Sequence, residues 1–543
     1  MKKQWVFLIL LLLFIATTNW IWLILDTQPP WWDQANYLES SCQYAHRLQR
    51  LDFGGFFKDL IFFNRIRPPL VMLLTTPVYF FNYRNEDLAV MINVLFMALT
   101  FLAIFKICKD YLNPKTAVLS CFLLSIYPAI YGHMRTYLMD IGLMSMVSVS
   151  IYLLLKCDGF RNLKYSILLG LSLGLGMLTR QSYPAFIAGP FVYIVYKSGI
   201  IPPIHKDNNK SSPFLHKSRL NLLYCLIVAL ALTLSWYVPN FKEVLHLIRY
   251  NNSAEWAILY RPSYLSNVPS FLTFYLILMT FHGTSTFFAF LFLCSSISFF
   301  FVKPHKLYDI KKVFAWWMLL PFLLVTFSLN KQARFLFPLL PAVAIITAQG
   351  IYQMKNKLIR WIVIGLIVVV GLFQFSVDSF NTSILPGISF KPFAWCNILL
   401  FTVRQEHRPM REEWMIEDVL FAIKRDMEKE KKDLSTVMLL SDHKAYNANT
   451  LNYYSNKERL GMRFLSAAWV DNVPSVMKQE NCQYVIYKDA NNDSANIPLY
   501  KRRVDEAFAY IKEHSEEYRV IYKRGLLDGS NIVIYKCIRN EFF

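Results

Sequence analysis

The stretch WVFLILLLLFIATTNWIWLIL at residues 5–25, followed by DTQPPWWDQ at residues 26–34, decides the class of fold. An apolar run of this length can cross a bilayer as a helix. It predicts an anchor rather than a signal peptide, because the run exceeds the usual ~7–15 apolar residues and no small-residue cleavage site follows. The Trp-Trp pair after the prolines is typical of the headgroup level of a membrane. Asp33, directly after that pair, is therefore predicted to lie at the membrane surface.

The composition of the whole chain agrees with this beginning. Of 543 residues, 55% are hydrophobic and only 17% are charged, whereas soluble proteins carry about 25% charged residues. In a soluble protein the net charge of +20 would suggest nucleic acid, but here the basic residues bear on membrane topology and predict no nucleic-acid partner. Apolar runs of roughly 17–20 residues recur along the chain, and they predict about eleven spans. The predicted spans are residues 5–25, 88–106, 116–132, 140–156, 165–179, 182–197, 220–239, 284–302, 313–328, 335–351 and 359–377.

The basic residues between these spans predict an orientation. If Lys2 and Lys3 are cytoplasmic, every even-numbered connection is rich in Lys and Arg, as the positive-inside rule requires. The protein is therefore predicted to be a multi-pass protein of the inner (cytoplasmic) membrane. About eleven spans place its C-terminal part outside the cytoplasm.

Beyond the last predicted span the composition changes. Four short β-type runs alternate with helical stretches, which predicts a small α/β domain. The runs are Val437–Leu440, Tyr484–Tyr487, Tyr518–Tyr522 and Ile532–Tyr535. We expect a transmembrane domain at residues 1–377, with an outer loop of juxtamembrane helices at 28–87, and an accessory extracytoplasmic domain at 378–543. A disulfide between Cys482 and Cys537 and two unpaired thiols are both open.

Ionisable residues beside a bilayer are costly and are candidates for function. The predicted outer side carries two acids, Asp33 and Asp140, together with cations that the positive-inside rule would place inside. Arg and Lys are the usual ligands of phosphate, so these cations predict an anionic partner. The acid would accept the proton of an attacking hydroxyl, and the cations would stabilise a leaving phosphate. The outer cations in these turns are Arg65, Arg67, Arg135, Arg180, Lys331 and Arg334.

Each of these residues also has a purely structural interpretation. An acid after a span is most often a solvated residue, and Asp140 could cap the helix that follows it. The arginine at 180 could extend toward headgroups. The glycines Gly170, Gly174 and Gly176 indicate close helix packing rather than a site. Only the joint arrangement of the outer residues favours a function.

Five short motifs are spread in order over residues 5–377. They are Trp31–Tyr37, Arg67-Pro68-Pro69-Leu70, Arg135–Asp140, Gly174–Arg180 and Lys331–Pro341. Together they resemble the GT-C membrane glycosyltransferases, in the bacterial branch of protein O-mannosyltransferases and the lipid A aminoarabinose transferase. That family commonly has Asp-Glu in the first motif, where this chain has Asp33-Gln34. We therefore predict a polytopic α-helical membrane protein of GT-C type with a C-terminal small α/β soluble domain.

The resemblance implies transfer of a hexosyl or pentosyl group from a polyprenyl-phosphate donor, with inversion, outside the cytoplasmic membrane. Asp33 would be the catalytic base and Asp140 would assist it. The donor phosphate would be bound by four cations, and three further residues would support the site. The four cations are Arg67, Arg180, Lys331 and Arg334, and the supporting residues are Gln34, Tyr37 and Arg135.

The acceptor of the sugar is a protein, a lipid or a glycan, and membrane lipids are further partners. No cofactor is expected. The resemblance favours a reaction without a divalent metal, since relatives with monophosphate donors generally need none. Two other functions stay open. A flippase or transporter of a lipid-linked glycan would carry ionisable residues at mid-membrane, and a glycan polymerase or ligase would carry large, Arg-rich outer loops.

Overall fold

The structure is a computed structural model. It describes residues 2–81, 85–200, 213–251, 275, 283–301, 308–330, 332–380, 389–393, 396–399, 408–493 and 498–538.

Helices dominate the first three quarters of the chain. Every one of the eleven predicted spans contains a helix. The helices are α1 Lys2–Leu25, α2 Trp32–Gln49, α3 Phe53–Phe62, α4 Leu70–Phe81, α5 Glu86–Val90, α6 Ile92–Tyr111, α7 Pro114–Ile126, α8 Pro128–His133, α9 Asp140–Lys156, α10 Leu163–Thr179, α11 Tyr183–Lys197, α12 Pro213–Tyr237, α13 Phe241–Asn251, α14 Thr286–Phe301, α15 Tyr308–Phe327, α16 Leu340–Tyr352 and α17 Lys357–Phe380.

Six helical segments within the described residues are long and apolar enough to cross a membrane, and they indicate a membrane protein. They lie at Lys3–Leu25, Glu86–Tyr111, Leu215–Tyr237, Asp309–Phe327, Arg334–Tyr352 and Lys357–Phe380. Four more apolar helices are shorter: α4, α7, α10 and α14. The predicted number of about eleven membrane crossings is therefore not confirmed.

Three predicted spans are not single helices. The span at 88–106 contains the last residues of α5 and most of α6, which are separated at Met91. The span at 116–132 is interrupted at Tyr127, whose extended backbone separates α7 from α8. The residue before a proline disfavours helical backbone, and Pro128 follows Tyr127. The span at 335–351 likewise begins as a 3-10 segment, Ala333–Leu339, before α16 starts.

The described residues after α17 contain seven strands and four more α-helices. The elements are β1 Ser389–Phe393, β2 Cys396–Leu399, α18 Ile416–Lys429, β3 Ser435–Leu440, α19 Ala448–Lys457, β4 Met462–Ser466, α20 Val473–Gln479, β5 Cys482–Lys488, α21 Pro498–Glu513, β6 Tyr518–Gly525 and β7 Asn531–Cys537. The four strands predicted from the sequence correspond to β3, β5, β6 and β7. The strand β4 was not predicted, because its run MRFLS has little apolar alternation.

The chain forms two compact units. The first unit contains residues 1–22, 58–74 and 90–408, and the second contains residues 23–57, 75–89 and 409–543. The second unit therefore includes α2 and most of α4 besides the C-terminal segment. The predicted division into a transmembrane domain at residues 1–377 and an accessory domain at 378–543 stays a prediction.

A five-stranded sheet organises the second unit, in the order β4-β3-β5-β7-β6. The strands β4, β3 and β5 are parallel, while β7 pairs antiparallel with β5 and β6. One face of the sheet packs against α20 and α21 around Met438 and Val485. Cys482 and Cys537 are both free thiols, so the predicted disulfide alternative is not what the structure shows.

A buried ion pair joins β5 to the turn before β7. The side chain of Lys488 is fully buried, and its Nζ lies 2.8 Å from Oδ2 of Asp528. Burial opposes ionisation of Asp528, but hydrogen bonds from Lys488 and Ser530 outweigh it and lower the pKa of this carboxyl to about 2. The carboxylate therefore stabilises the folded unit wherever it is ionised.

We expect the change Asp528→Asn to reduce the thermal stability of the protein near pH 7 and to matter little near pH 2. The stabilisation is fully present above the ordinary pKa of about 3.9 and is lost as the pH falls through about 2, because the folded-state pKa is the lower one. Thermal unfolding of wild type and variant between pH 7 and pH 2 measures the difference. A stability difference that stays constant over this range would contradict the assignment.

The glycines of α10 allow a close approach of α12. A Cβ at Gly170 would overlap the backbone carbonyl of Cys225, and a Cβ at Gly174 would lie 2.8 Å from that of Leu232. Small residues at such positions let helix backbones pack directly against each other. The packing interpretation of this glycine series is confirmed.

We expect Gly170→Ala to destabilise the protein by about 1–3 kcal/mol, because the added methyl group forces α10 away from α12. The matched control is Gly365→Ala on α17, where no heavy atom lies within 4 Å of the added Cβ. This control is expected to be neutral or to stabilise by up to about 1 kcal/mol, since Ala is the better helix former. Thermal unfolding in detergent compares the two variants, and equal stabilities would contradict the close-packing account.

Candidate active site

Asp33 lies in the first turn of α2, in the second unit. A carboxylate there is favoured by the partial positive charge at a helix N-terminus. Asp33 and Gln34 are half-buried, while Tyr37 is buried. Residues four apart lie on one face of a helix, so Asp33 and Tyr37 share a face of α2.

The first unit brings together three residues predicted from different parts of the sequence. Asp140 is the first residue of α9, and its side chain is only 1% exposed. Arg180, which follows the end of α10, forms an ion pair with Oδ1 of Asp140. Arg334, in the 3-10 segment before α16, has its Nη1 3.7 Å from Oδ2 of the same carboxylate. We call these three side chains the arginine pair and its buried acid.

The acid and the two arginines of this group differ in their exposure. The arginine side chains are 14% and 21% exposed, so they are partly accessible while the acid is not. The Nε of Arg334 also donates to Oε1 of Gln332 at 2.8 Å. The guanidinium of Arg180 lies 5.7 Å from the ring centre of Phe335. With two positive charges and one negative charge, the group carries a net charge of +1.

The remaining predicted site residues are placed differently. Arg67 is half-buried and lies in the turn before α4. Lys331 lies outside the described residues. Arg135 is buried at 3% exposure; its Nη2 donates to Ser379 Oγ at 2.7 Å, and its Nε lies 3.4 Å from Asn19 Oδ1. These contacts join the loop before α9 to α1 and α17.

Aromatic rings surround the guanidinium of Arg135. The rings of Trp22, Tyr131, Phe375 and Phe380 have their centres 5.3–6.0 Å from it. These contacts indicate a structural role for Arg135, and we call Arg135 and the residues around it the clasp. The predicted role of Arg135 in supporting the site stays a prediction.

Sequence reasoning missed the acid of this clasp. Tyr131 donates a hydrogen bond to the buried Asp378, one residue beyond the last predicted span. An acid at the end of an apolar run is itself a candidate functional residue, so the sequence could have identified Asp378. His133, the last residue of α8, is packed edge-on against Phe337 with ring centres 4.3 Å apart.

Comparisons with known proteins agree with this architecture. Residues 67–236, about a third of the chain, match the sequence profile of the dolichyl-phosphate-mannose-protein mannosyltransferase family. The fold is similar to the crystal structure of ArnT from Cupriavidus metallidurans in the apo state, with a TM-score of 0.56, 12% identity and 97% of each chain covered. ArnT bound to undecaprenyl phosphate gives a TM-score of 0.55, 12% identity and the same coverage.

A third similar structure is archaeal oligosaccharyltransferase AglB from Archaeoglobus fulgidus, in complex with an inhibitory peptide and a dolichol-phosphate. It has a TM-score of 0.56 and 11% identity, and the match covers 98% of this chain and 74% of AglB. No curated protein sequence is significantly similar to the chain. The predicted resemblance to the GT-C superfamily of membrane glycosyltransferases is confirmed.

Proposed function

We propose that this protein is an integral-membrane glycosyltransferase that moves a sugar from a polyprenyl-phosphate donor to an acceptor. The reaction takes place at the outer face of the cytoplasmic membrane, as the distribution of basic residues suggests. The sugar is a hexosyl or pentosyl group, and the acceptor is a protein, a lipid or a glycan. The matched family and the ArnT structure bound to undecaprenyl phosphate support the class of donor.

The observation that carries the proposal is the arginine pair and its buried acid. Asp140 holds Arg180 and Arg334 at one place, although they come from two separate elements. A guanidinium group is planar and always charged, and it binds phosphate oxygens with two hydrogen bonds. A net positive group of this kind is suited to a lipid-borne phosphate. Arg67 and Lys331 are proposed as its further ligands.

The proposed reaction is a direct displacement. The acceptor hydroxyl oxygen forms a bond to the anomeric carbon while the bond from that carbon to the phosphate oxygen breaks, which inverts the configuration. Asp33 takes the hydroxyl proton. The negative charge that develops on the leaving polyprenyl phosphate is stabilised by the arginines. Gln34 and Tyr37 are proposed to support Asp33.

The buried carboxylate of Asp140 suggests how it assists. An acid that is 1% exposed and ion-paired to Arg180 is suited to orienting guanidinium groups rather than to accepting a proton. We propose that no divalent metal takes part, because the guanidinium groups would supply the positive charge that a metal supplies elsewhere.

The proposed function is tested with the purified full-length chain in nanodiscs. Co-purified lipid is identified by mass spectrometry, and synthetic polyprenyl-phosphate sugars are then tested as donors. The expected result is a polyprenyl-monophosphate sugar, and transfer that persists in EDTA. Movement of labelled lipid across liposomes without chemical change would instead show a flippase, and a pyrophosphate-linked donor would indicate a polymerase or ligase.

A further inference from the structure

The linker between α1 and α2, residues 26–31, is held by the C-terminal part of the second unit. The backbone N–H of Thr27 donates to the carbonyl of Met410 at 2.9 Å, and the N–H of Met410 donates to Oδ1 of Asp26 at 2.8 Å. The N–H of Glu412 donates to Oγ1 of Thr27 at 2.9 Å. One backbone–backbone bond and two bonds to the side chains of Asp26 and Thr27 thus join the linker to the residues that precede α18.

The end of the linker makes a second set of contacts, with the residues that follow β3. The hydroxyl of Thr450, which is fully buried, donates to the carbonyl of Pro30 at 3.0 Å. The Nζ of Lys444 lies 5.5 Å from the ring centre of Trp31, within the range of a cation–π contact. The indole Nε1 of Trp32 donates to Oδ1 of Asp442 at 3.4 Å.

The first turn of α2 depends on these contacts, because its own residues do little to stabilise its conformation. Its N-cap residue, Trp31, makes no side-chain capping hydrogen bond, as a residue with no acceptor oxygen cannot. Trp32 has a φ of +29°, in the region that disfavours every residue except glycine. A strained residue of this kind persists only where the surroundings hold it. Asp33 is the next residue.

The sheet explains why the residues after β3 can do this. The chain leaves β3 for β4 on one side, and later returns to β5 on the other side. The edge beyond the carboxyl ends of β3 and β5 is therefore a topological switch point, where open α/β sheets usually bind a ligand.

In this protein the groups at that edge bond to one another. Ser441 Oγ lies 2.9 Å from Asn492 Oδ1, and the N–H of Lys444 donates to Oδ2 of Asp493 at 2.7 Å. The N–H of Asp493 in turn donates to the carbonyl of Asp442 at 2.9 Å. Hydrogen bonds therefore connect the loops at this edge of the sheet to one another. Asp442 and Lys444 of the same edge contact Trp32 and Trp31.

The far end of α2 is held by the same unit. Nη2 of Arg459, just after α19, donates to Oε1 of Gln49 at 2.6 Å. The body of α2 packs along α19. Both ends of the helix that carries Asp33 therefore contact residues of the α/β part of the second unit.

We propose that Asp442, Lys444 and Thr450 are positioning residues that set the orientation of Asp33. The α/β sheet uses its switch point to hold the start of α2 instead of binding a ligand. The inference rests on the proposed function for its effect on rate, but the structural part concerns the linker alone. It gives the C-terminal domain a task that composition alone did not indicate.

The test compares Asp442→Ala with Asp442→Asn in the full-length protein. The alanine variant loses the acceptor for Trp32, and kcat is expected to fall by about 10- to 100-fold, as for a misplaced catalytic group. The KM for the polyprenyl-phosphate donor is expected to change by less than about 2-fold, since the donor ligands are untouched. The asparagine variant keeps an acceptor oxygen and is expected to restore most of kcat.

The matched control is Asp528→Asn, which weakens the same unit through Lys488 but contacts no residue of the linker in the structure. Hydrogen exchange of residues 26–38, read by mass spectrometry, is expected to speed up in Asp442→Ala and not in Asp528→Asn. Equal losses of kcat in both variants would overturn the proposal, and so would unchanged exchange of residues 26–38 in Asp442→Ala. Because exchange needs no substrate, it decides the structural part even if the wild-type chain transfers no sugar.

Discussion

The variant Asp33→Asn is expected to lose at least about 100-fold in kcat while keeping its fold, since removing a general base typically costs 10²–10⁴-fold. Asparagine has nearly the shape of aspartate and can stay in the first turn of α2, but it cannot take the proton of the attacking hydroxyl. The measurement is single-turnover transfer from the polyprenyl-phosphate sugar identified for the wild type.

Two further measurements make this test specific. The control Asp52→Asn changes an acid of the same unit that pairs with Arg47 at 2.8 Å near the end of α2, and it is expected to keep wild-type activity. The pH–rate profile should lose its acidic limb in Asp33→Asn only. A wild-type rate in Asp33→Asn, with the fold intact, would remove Asp33 from the mechanism.

The second large effect is expected for Arg334→Gln, with a loss of about 10²–10³-fold in kcat/KM, the range for deleting one stabilising donor at a developing anion. The change removes one guanidinium group from the arginine pair and leaves Asp140 paired with Arg180. Binding of undecaprenyl phosphate, measured without any sugar, should weaken as well. Arg334→Lys should recover part of the loss, because it keeps the charge but not the two-pronged geometry.

The control for Arg334→Gln is Arg65→Gln, which removes another arginine of the same unit that the sequence predicts on the outer side. Arg65 is 47% exposed and pairs with Glu243 at 2.8 Å, so it reports the general effect of one lost positive charge. Its rate and its binding of undecaprenyl phosphate are expected to stay within about 2-fold of wild type, as for a screened surface charge. If the two variants behaved alike, binding of the phosphate by Arg334 would be wrong.

Much of the fold follows from local patterns. The eleven apolar runs all contain helices, because an apolar stretch of this length satisfies its backbone groups internally only as a helix. The four predicted strands are present because short β-branched and aromatic runs between polar turns are typical of strands. The prolines at 128 and 338 interrupt two predicted spans, and they could have been given more weight.

The candidate site was predicted in part. Asp33, Asp140, Arg180 and Arg334 were identified from their positions beside the bilayer, and three of them meet in the first unit. The acid of the clasp, Asp378, was missed because it stands one residue beyond a span. The contacts of Asp442 with Trp32 and of Lys444 with Trp31 join residues some 410 positions apart, and no periodicity in the sequence predicts a pairing of that range.

The sequence by itself determined the class of fold, the helical segments and the set of polar residues that stand at the ends of apolar runs. These are properties of contiguous stretches, since hydrophobic length and local propensity act over a few turns of chain. Only the tertiary structure decided that Asp140 holds Arg180 and Arg334, and that the α/β sheet holds the start of the helix carrying Asp33. Such pairings depend on the packing of elements that are distant in sequence. A buried ionised group is costly unless it is paired, and its partner can come from any element that the fold brings close.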